Sequence, residues 1–184
     1  MSTTVAIILI AVILLAAVAT WAFLRRRSTT LRRRFGPEYD HAVGEYGNRL
    51  RAEQALDRRA ERTEKYHIRS LDRNEQQRFS EEWRRAQARF VDDPALAIRD
   101  ADHLVSEVMH QRGYPMAEFD RRAEDLSVDH PLVIRNYRAA HDIAMAEREG
   151  HANTEDLRRG MVYYRELFDE LLEIQPADMP ERRR

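Results

Sequence analysis

The chain of 184 residues contains no cysteine, which excludes a disulfide framework, a thiolate nucleophile and a Cys-ligated zinc or iron–sulfur site. Six glycines and six prolines exclude a collagen-like or glycine-rich low-complexity chain. Lys65 is the sole lysine among 31 basic residues, a bias of the kind a GC-rich genome produces. No Walker loop, glycine-rich dinucleotide loop, His-Glu-x-x-His helix or Gly-x-Ser-x-Gly elbow occurs. Neither an alternating apolar–polar run of strand type nor a hairpin dipeptide is found. The length admits one domain with an appendage and excludes a large multidomain enzyme.

The net charge of −1 conceals a divided chain. Residues 1–24 carry no charged side chain. A basic collar follows, with Arg25, Arg26, Arg27, Arg32, Arg33 and Arg34. Between Phe35 and Pro180 stand 31 acidic against 22 basic residues, a net charge of −9. The acidic body, whose arginines are interleaved with glutamates, argues against a nucleic-acid partner.

Thr4 to Leu24 is a run of Val, Ile, Leu, Ala, Phe, Trp and two Thr. As a helix it is about 31 Å long, which matches the hydrocarbon core of a bilayer. A helix is also the shape in which so apolar a segment satisfies its own backbone in lipid. Trp21 lies one turn before Arg25, where an interfacial aromatic is expected, and the arginines of the collar face anionic headgroups. A cleaved signal peptide is the competing reading, with Ala17-Val18-Ala19 as a small-x-small site. Against it stand the absence of a basic residue before the run, its continuation to Leu24 and the six arginines after it. The basic flank is expected to place residues 25–184 in the cytoplasm. Export of the body after cleavage is the alternative.

The remainder reads as all-α: a single N-terminal transmembrane helix followed by a small bundle of about five helices. The expected organisation is an anchor at 1–24, a juxtamembrane collar at 25–36, a soluble helical domain at 37–174 and a disordered tail at 175–184. Gly36-Pro37 breaks the chain after the collar. Tyr39, Val43, Tyr46 and Leu50 form a first apolar stripe, weakened by Gly44 and Gly47. In residues 51–65 nine of fifteen side chains are charged, which predicts a solvated helix that projects rather than packs. Asp72 with Glu75 forms a capping arrangement ahead of the stripe Phe79, Trp83, Ala86 and Phe90. Asp93-Pro94 opens the next helix and Gly113 closes it. A short helix is predicted over Ala117 to Asp125, and another from Pro131 to Gly150 with Val133, Tyr137, Ala140 and Ala144 on one side. Thr154 is the predicted cap of a last helix striped by Leu157, Met161, Tyr164, Phe168 and Leu171.

The candidate sites are sparse. Asp100, His103, Glu107 and His110 share a helix, and Glu107/His110 repeat the Glu-x-x-His spacing also found at Glu38/His41 and Glu64/His67. Di-metal bundles use that spacing with inward ligands. At about 100° per residue, Ile98, Ala101, Val105, Val108 and Met109 centre the opposite face, so these four polar residues point at water. His141 flanks the Tyr137 stripe and His130 precedes Pro131; either is a candidate acid–base group. Tyr114, in Arg112-Gly-Tyr-Pro, is predicted to be exposed on a turn and is a candidate contact residue. Asp92 and Asp93 are explained by the helix N-terminus they precede. No catalytic residue, cofactor or metal is assigned.

Five segments carry a resemblance: Arg34-Phe-Gly-Pro-Glu-Tyr-Asp40, Phe90-Val-Asp-Asp-Pro94, Arg112-Gly-Tyr-Pro115, Leu126-Ser-Val-Asp-His-Pro131 and Tyr137-Arg-Ala-Ala-His141. On these the chain, from about Leu31 to Glu173, resembles a family of uncharacterised single-pass proteins of actinobacteria and other GC-rich bacteria, often labelled secreted or membrane proteins. The resemblance implies an N-terminal membrane helix and a small helical domain, and transfers no functional residue. The reading that results is a membrane-anchored interaction or scaffold protein whose partners are the lipid bilayer and either a second protein or a second copy of itself. An enzyme or metal-dependent module using His130 and His141 is the alternative.

Overall fold

The computed structural model describes residues 3–172. The predicted tail at 175–184 therefore lies outside the described residues. Among those described, the chain forms eight α-helices and no strand. It divides into two compact units, Met1–Asp57 and Arg58–Arg184.

In the first unit, α1 (Thr3–Phe35) is one unbroken helix. It is long and apolar enough to cross a membrane, and it is exposed from Ile7 to Trp21. No break separates the apolar run from the arginine collar. Instead the helix changes character: Ser28, Leu31 and Phe35, spaced three and four apart, form a buried stripe while the arginines around them stay out. The stripe makes α1 amphipathic over its last turns. Gly36 adopts φ 48°, a left-handed conformation suited to glycine, and Pro37 opens α2 (Pro37–Tyr46) at its first position. Tyr39 and Ala42 of α2 are buried.

Gly47 closes α2 with φ 61°, its N–H donating to the Val43 carbonyl. This splits the long run expected after the collar into α2 and α3 (Arg49–Thr63). The split is one reason that seven helices rather than about five follow α1. Helix α3 does not project. Ala52, Glu53, Ala55, Leu56, Arg59, Ala60 and Thr63 are all buried along it, because its small alanines permit close packing on a side that looks too polar to pack.

The second unit holds α4 (Arg73–Arg89), α5 (Pro94–Arg112), α6 (Phe119–Asp129), α7 (Ile134–Arg148) and α8 (Thr154–Leu171). Helices α5 and α8 pack against each other; α5 also meets α4 and α7, and α8 also meets α7. The predicted stripes are the core: Phe79, Trp83 and Ala86 from α4, Ile98 to Met109 from α5, Tyr137, Ala140 and Ala144 from α7, and Leu157 to Leu171 from α8. Trp83 and Phe168 stack with ring centroids 4.7 Å apart. A Cβ on Gly160 of α8 would stand 2.7 Å from Ile98 Cδ1 and 3.1 Å from Ile143 Cγ2, so a side chain there would require these isoleucines to shift.

The start and stop signals of α4 and α5 follow the sequence, and those at the starts of α7 and α8 do not. Asp72 and Glu75 form a reciprocal capping box, Asp93 caps α5 through the Leu96 N–H, and Gly113 ends α5 at φ 97°. At the start of α8 the cap is Asn153, not Thr154. Its side chain accepts from the Asp156 N–H and Asp156 answers to the Asn153 N–H, a box that requires an acid three residues on. Helix α6 starts later and runs four residues beyond the predicted Asp125, stopping at the residues before Pro131. Residues 131–133 form a turn, so α7 begins at Ile134 rather than at Pro131.

Candidate functional site

Within the first unit, the C-terminal part of α1 and the α2–α3 corner enclose a cleft of about 710 Å³. Trp21, Arg25, Ser28 and Thr29 line it from α1, and Asn48, Arg49, Leu50 and Glu53 line it from the corner. Positions 21, 25, 28 and 29 lie on one helix face, at offsets of four, seven and eight. Across from them, Gly47 ends α2 and Asn48 caps α3, accepting from the N–H of Leu50 at 2.8 Å and of Arg51 at 3.3 Å. The sharp corner brings Arg49 and Leu50 to the mouth of the cleft. Leu50 is 52% exposed and Trp21 60% exposed, and the Arg25 guanidinium lies 5.2 Å from the Trp21 ring centre.

A polar network forms the floor. The Tyr39 hydroxyl donates to Glu53 Oε1 at 2.8 Å and shares a hydrogen bond with Ser28 Oγ at 3.2 Å. The Arg49 Nε donates to the Tyr39 oxygen at 3.0 Å and to Glu53 Oε1 at 3.1 Å, and its Nη2 donates to Ser28 Oγ. Burial works to raise the Glu53 pKa, but the hydrogen bonds from Tyr39, Ser28 and Arg49 outweigh it and hold the carboxyl below its ordinary value. Glu53 is thus a buried, satisfied anion, while 65% of the Arg49 side chain remains accessible.

The collar arginines divide by role. Arg27 pairs with Asp57. Arg32 pairs with Asp40 at 3.0 Å and lies over the Tyr39 ring. Arg25, Arg26, Arg33 and Arg34 are exposed, and Arg25, Arg26 and Arg33 flank Trp21 in a second, shallower depression.

In the second unit a different polar group is found, and sequence reading missed its centre. Asp102 of α5 accepts from the Tyr164 hydroxyl of α8 at 2.7 Å and from Arg148 Nη2 of α7 at 3.2 Å. His141 Nδ1 lies 3.7 Å from Asp102 Oδ1, too far for a hydrogen bond, and its ring stacks on Phe119 with centroids 3.5 Å apart. Burial works to raise the Asp102 pKa; His141, Tyr164 and Arg148 reverse the sign and lower it. Burial beside Asp102 pushes the Tyr164 hydroxyl well up, and burial pushes Tyr137 to about 12. The group joins α5, α7 and α8 through charge-assisted bonds. No Ser or Thr hydroxyl is hydrogen-bonded to His141 among the described residues.

The other candidates also meet structural partners. His130 is largely buried, with Nδ1 3.2 Å from Glu170, and does not share the partners of His141. Tyr114 is not exposed: 2% of it is accessible, and its hydroxyl donates to Asp129 at 3.1 Å. The bend at Gly113 turns it inward, where burial and Asp129 raise its pKa. Asp100, His103 and Glu107 line a small depression on the outer side of α5, with Asp100 paired to Arg89 and His103 Nε2 3.6 Å from Glu107. No group of three or more potential metal ligands assembles among the described residues. The charged side of α3 is engaged within the second unit. Arg62 bonds Asp125 at 2.7 Å and Glu124 at 3.0 Å, Arg59 reaches Glu124 at 3.4 Å, and Tyr66 donates to Asp125 at 3.0 Å.

No protein-family model matches the chain, and no curated protein or solved structure matches it either.

Proposed function

We propose that this protein is a single-pass, membrane-anchored helical interaction module of a bacterial plasma membrane. On this reading the second unit is a small bundle, the body lies in the cytoplasm, and the chain is a member of the single-pass family it resembles. The observation that carries the proposal is the continuity of α1. A helix of membrane length, uncharged and exposed from Ile7 to Trp21, passes without a break into the residues Ser28, Leu31 and Phe35 that the first unit buries. A membrane helix joined in this way holds the folded part at the bilayer rather than on a loose tether.

The engagement of His130, His141 and Tyr114 with Glu170, Asp102 and Asp129 favours an interaction role over acid–base chemistry. The partner is a second protein or a second copy of the chain. The test uses the full chain in a bacterial host, with a cytoplasm-active fluorescent reporter or a periplasm-active phosphatase fused after Glu173. Fluorescence, a silent phosphatase and resistance of the protein to alkaline extraction from membranes are expected. A soluble product beginning at Thr20 would overturn the anchor, and an active phosphatase would overturn the orientation. In-membrane cross-linking tests the remaining part, and a chain that links neither to itself nor to another protein refutes the interaction role.

A further inference from the structure

We infer that the cleft between α1 and the α2–α3 corner is a seat for the phosphate of an anionic phospholipid, with Arg25 and Arg49 as its cations and Trp21 and Leu50 as its apolar rim. The inference rests on the membrane-anchor reading and extends it to residues outside the arginine collar.

Depth comes first. If Thr4–Leu24 fills the hydrocarbon, then Arg25, Ser28 and Thr29 stand about 1.5–8 Å beyond it along the helix axis. The headgroup layer on each side of a bilayer is about 5–7 Å thick. The cleft therefore opens at the level of the phosphates. Its chemistry matches that level. Arg25 and Arg49 supply guanidinium groups suited to phosphate oxygens; Thr29, whose hydroxyl donates to the Arg25 carbonyl at 2.9 Å, and the capping Asn48 line the cleft beside them. Among the described lining residues Glu53 is the sole acid and is paired with Arg49, so Arg25 and Arg49 set against it leave the cleft with one net positive charge. The network also orients Arg49: Nε and Nη2 are held by Tyr39, Glu53 and Ser28, which fixes the plane of a guanidinium that remains largely accessible.

The rim supplies the second half of the match. Leu50 is an exposed apolar residue at the first turn of α3, and Trp21 is an exposed aromatic on the facing helix. Both are misplaced in water and correctly placed against the glycerol and upper acyl region of a lipid. A seat with a cationic throat and an apolar lip fits an amphipathic lipid better than a soluble anion. The collar alone gives any stop-transfer flank a diffuse attraction to a negative surface; the α2–α3 corner converts one side of that flank into a built site.

The absence of natural cysteine makes the test direct. Full-length Ile13→Cys and Leu50→Cys proteins, each spin-labelled, are reconstituted in vesicles of phosphatidylcholine alone or phosphatidylcholine with phosphatidylglycerol. Accessibility is read against oxygen and against a water-soluble nickel chelate. A label at Ile13 is expected deep in the bilayer in both compositions. A label at Leu50 is expected at headgroup depth, with nickel accessibility falling severalfold when phosphatidylglycerol is present. Arg25→Gln and Arg49→Lys, combined in turn with Leu50→Cys, are expected to restore nickel accessibility, fully for the charge loss and partly for the loss of the fork. Arg25 is exposed, so its variant folds as the parent does, and circular dichroism checks both. A buried Ile13 label with a water-exposed Leu50 label in phosphatidylglycerol overturns the seat and leaves the anchor standing. An Ile13 label in water overturns the anchor itself. Protection of Leu50 by inorganic phosphate in micelles without phospholipid assigns the cleft to a soluble anion and also overturns the proposal.

Discussion

Around Tyr39, the first unit withdraws Ser28, Glu38 and Glu53 from water together with Leu31, Phe35, Ala42 and Leu56. The second unit instead closes over one continuous apolar cluster that includes Phe79, Trp83, Ile98, Met109, Tyr137, Tyr164 and Phe168. In the first, hydrogen bonds to a buried carboxylate position the elements, and geometry is precise because each polar atom requires its partner. In the second, the area removed from water dominates, and polar groups such as Asp102 serve as ties between helices already packed. The contrast shows how a short segment with few large apolar side chains orders a corner: it spends alanines and one tyrosine–glutamate–arginine network where a larger unit uses leucine and phenylalanine.

Four perturbations sharpen or break this contrast. The largest is expected from Phe168→Ala, which removes the ring stacked on Trp83 and leaves a cavity, at a cost of about 3–5 kcal/mol. Trp83 reports it directly: in a Trp21→Phe background its emission should shift red at a lower denaturant concentration, and an unchanged midpoint would refute the apolar account of the second unit. Tyr39→Phe comes next. It deletes the donor to Glu53 and the acceptor of Arg49, and a buried group left unsatisfied costs about 1–3 kcal/mol. Amide hydrogen exchange should quicken in α2 while α5 keeps its protection; equal loss in both helices would mean that the two units do not differ in the way described. Asp72→Ala removes one half of the α4 capping box at a cost of about 1 kcal/mol, read as a lower thermal midpoint, with Asp72→Asn largely restoring it. The smallest effect near neutrality is the acid limb. Glu53 and Asp102, one in each unit, both have pKa values lowered by folding. Their stabilisation is complete above the unfolded values of about 4 and is lost as pH falls through the lower folded values. Thermal midpoints measured from pH 6 downward should fall less steeply in Glu53→Gln and in Asp102→Asn than in the parent, and parallel curves would exclude both carboxylates as contributors.

Legibility in the sequence follows the range of the interaction. The stripes on α4, α5, α7 and α8 were readable because helical periodicity places those residues on one face whatever they pack against. The capping signals at Asp72, Asp93 and Gly113 act within a few residues and were readable for the same reason. Asn153 is readable too: asparagine is the stronger N-cap and has an acid three residues on at Asp156, whereas Thr154 is followed at that spacing by Leu157. Helix α3 was misjudged because nine charges in fifteen residues conceal a side of alanines whose value depends on a neighbour. Tyr114 was misjudged because Gly113 ends a helix with the same local signal whether the chain then turns out or in; the close approach of the His67 carbonyl, 2.5 Å from where a Gly113 side chain would begin, is a tertiary fact.

The amino-acid sequence alone determined the membrane-length apolar run, the charge asymmetry around it, the all-helical class, the start of α4 and both ends of α5. Each of these depends on composition or on residues within about one or two helical turns of each other. Tertiary structure alone decided that Arg49 would reach Ser28 across 21 residues of chain and that Tyr164 would reach Asp102 across 62. It also decided that Leu50 would share a cleft with Trp21, and that Arg62 would be spent on Glu124 and Asp125 rather than on a partner. Such contacts join residues that the local pattern treats as independent. Their pairing is set by which helix faces the whole chain can bury at once, and no periodicity encodes that choice.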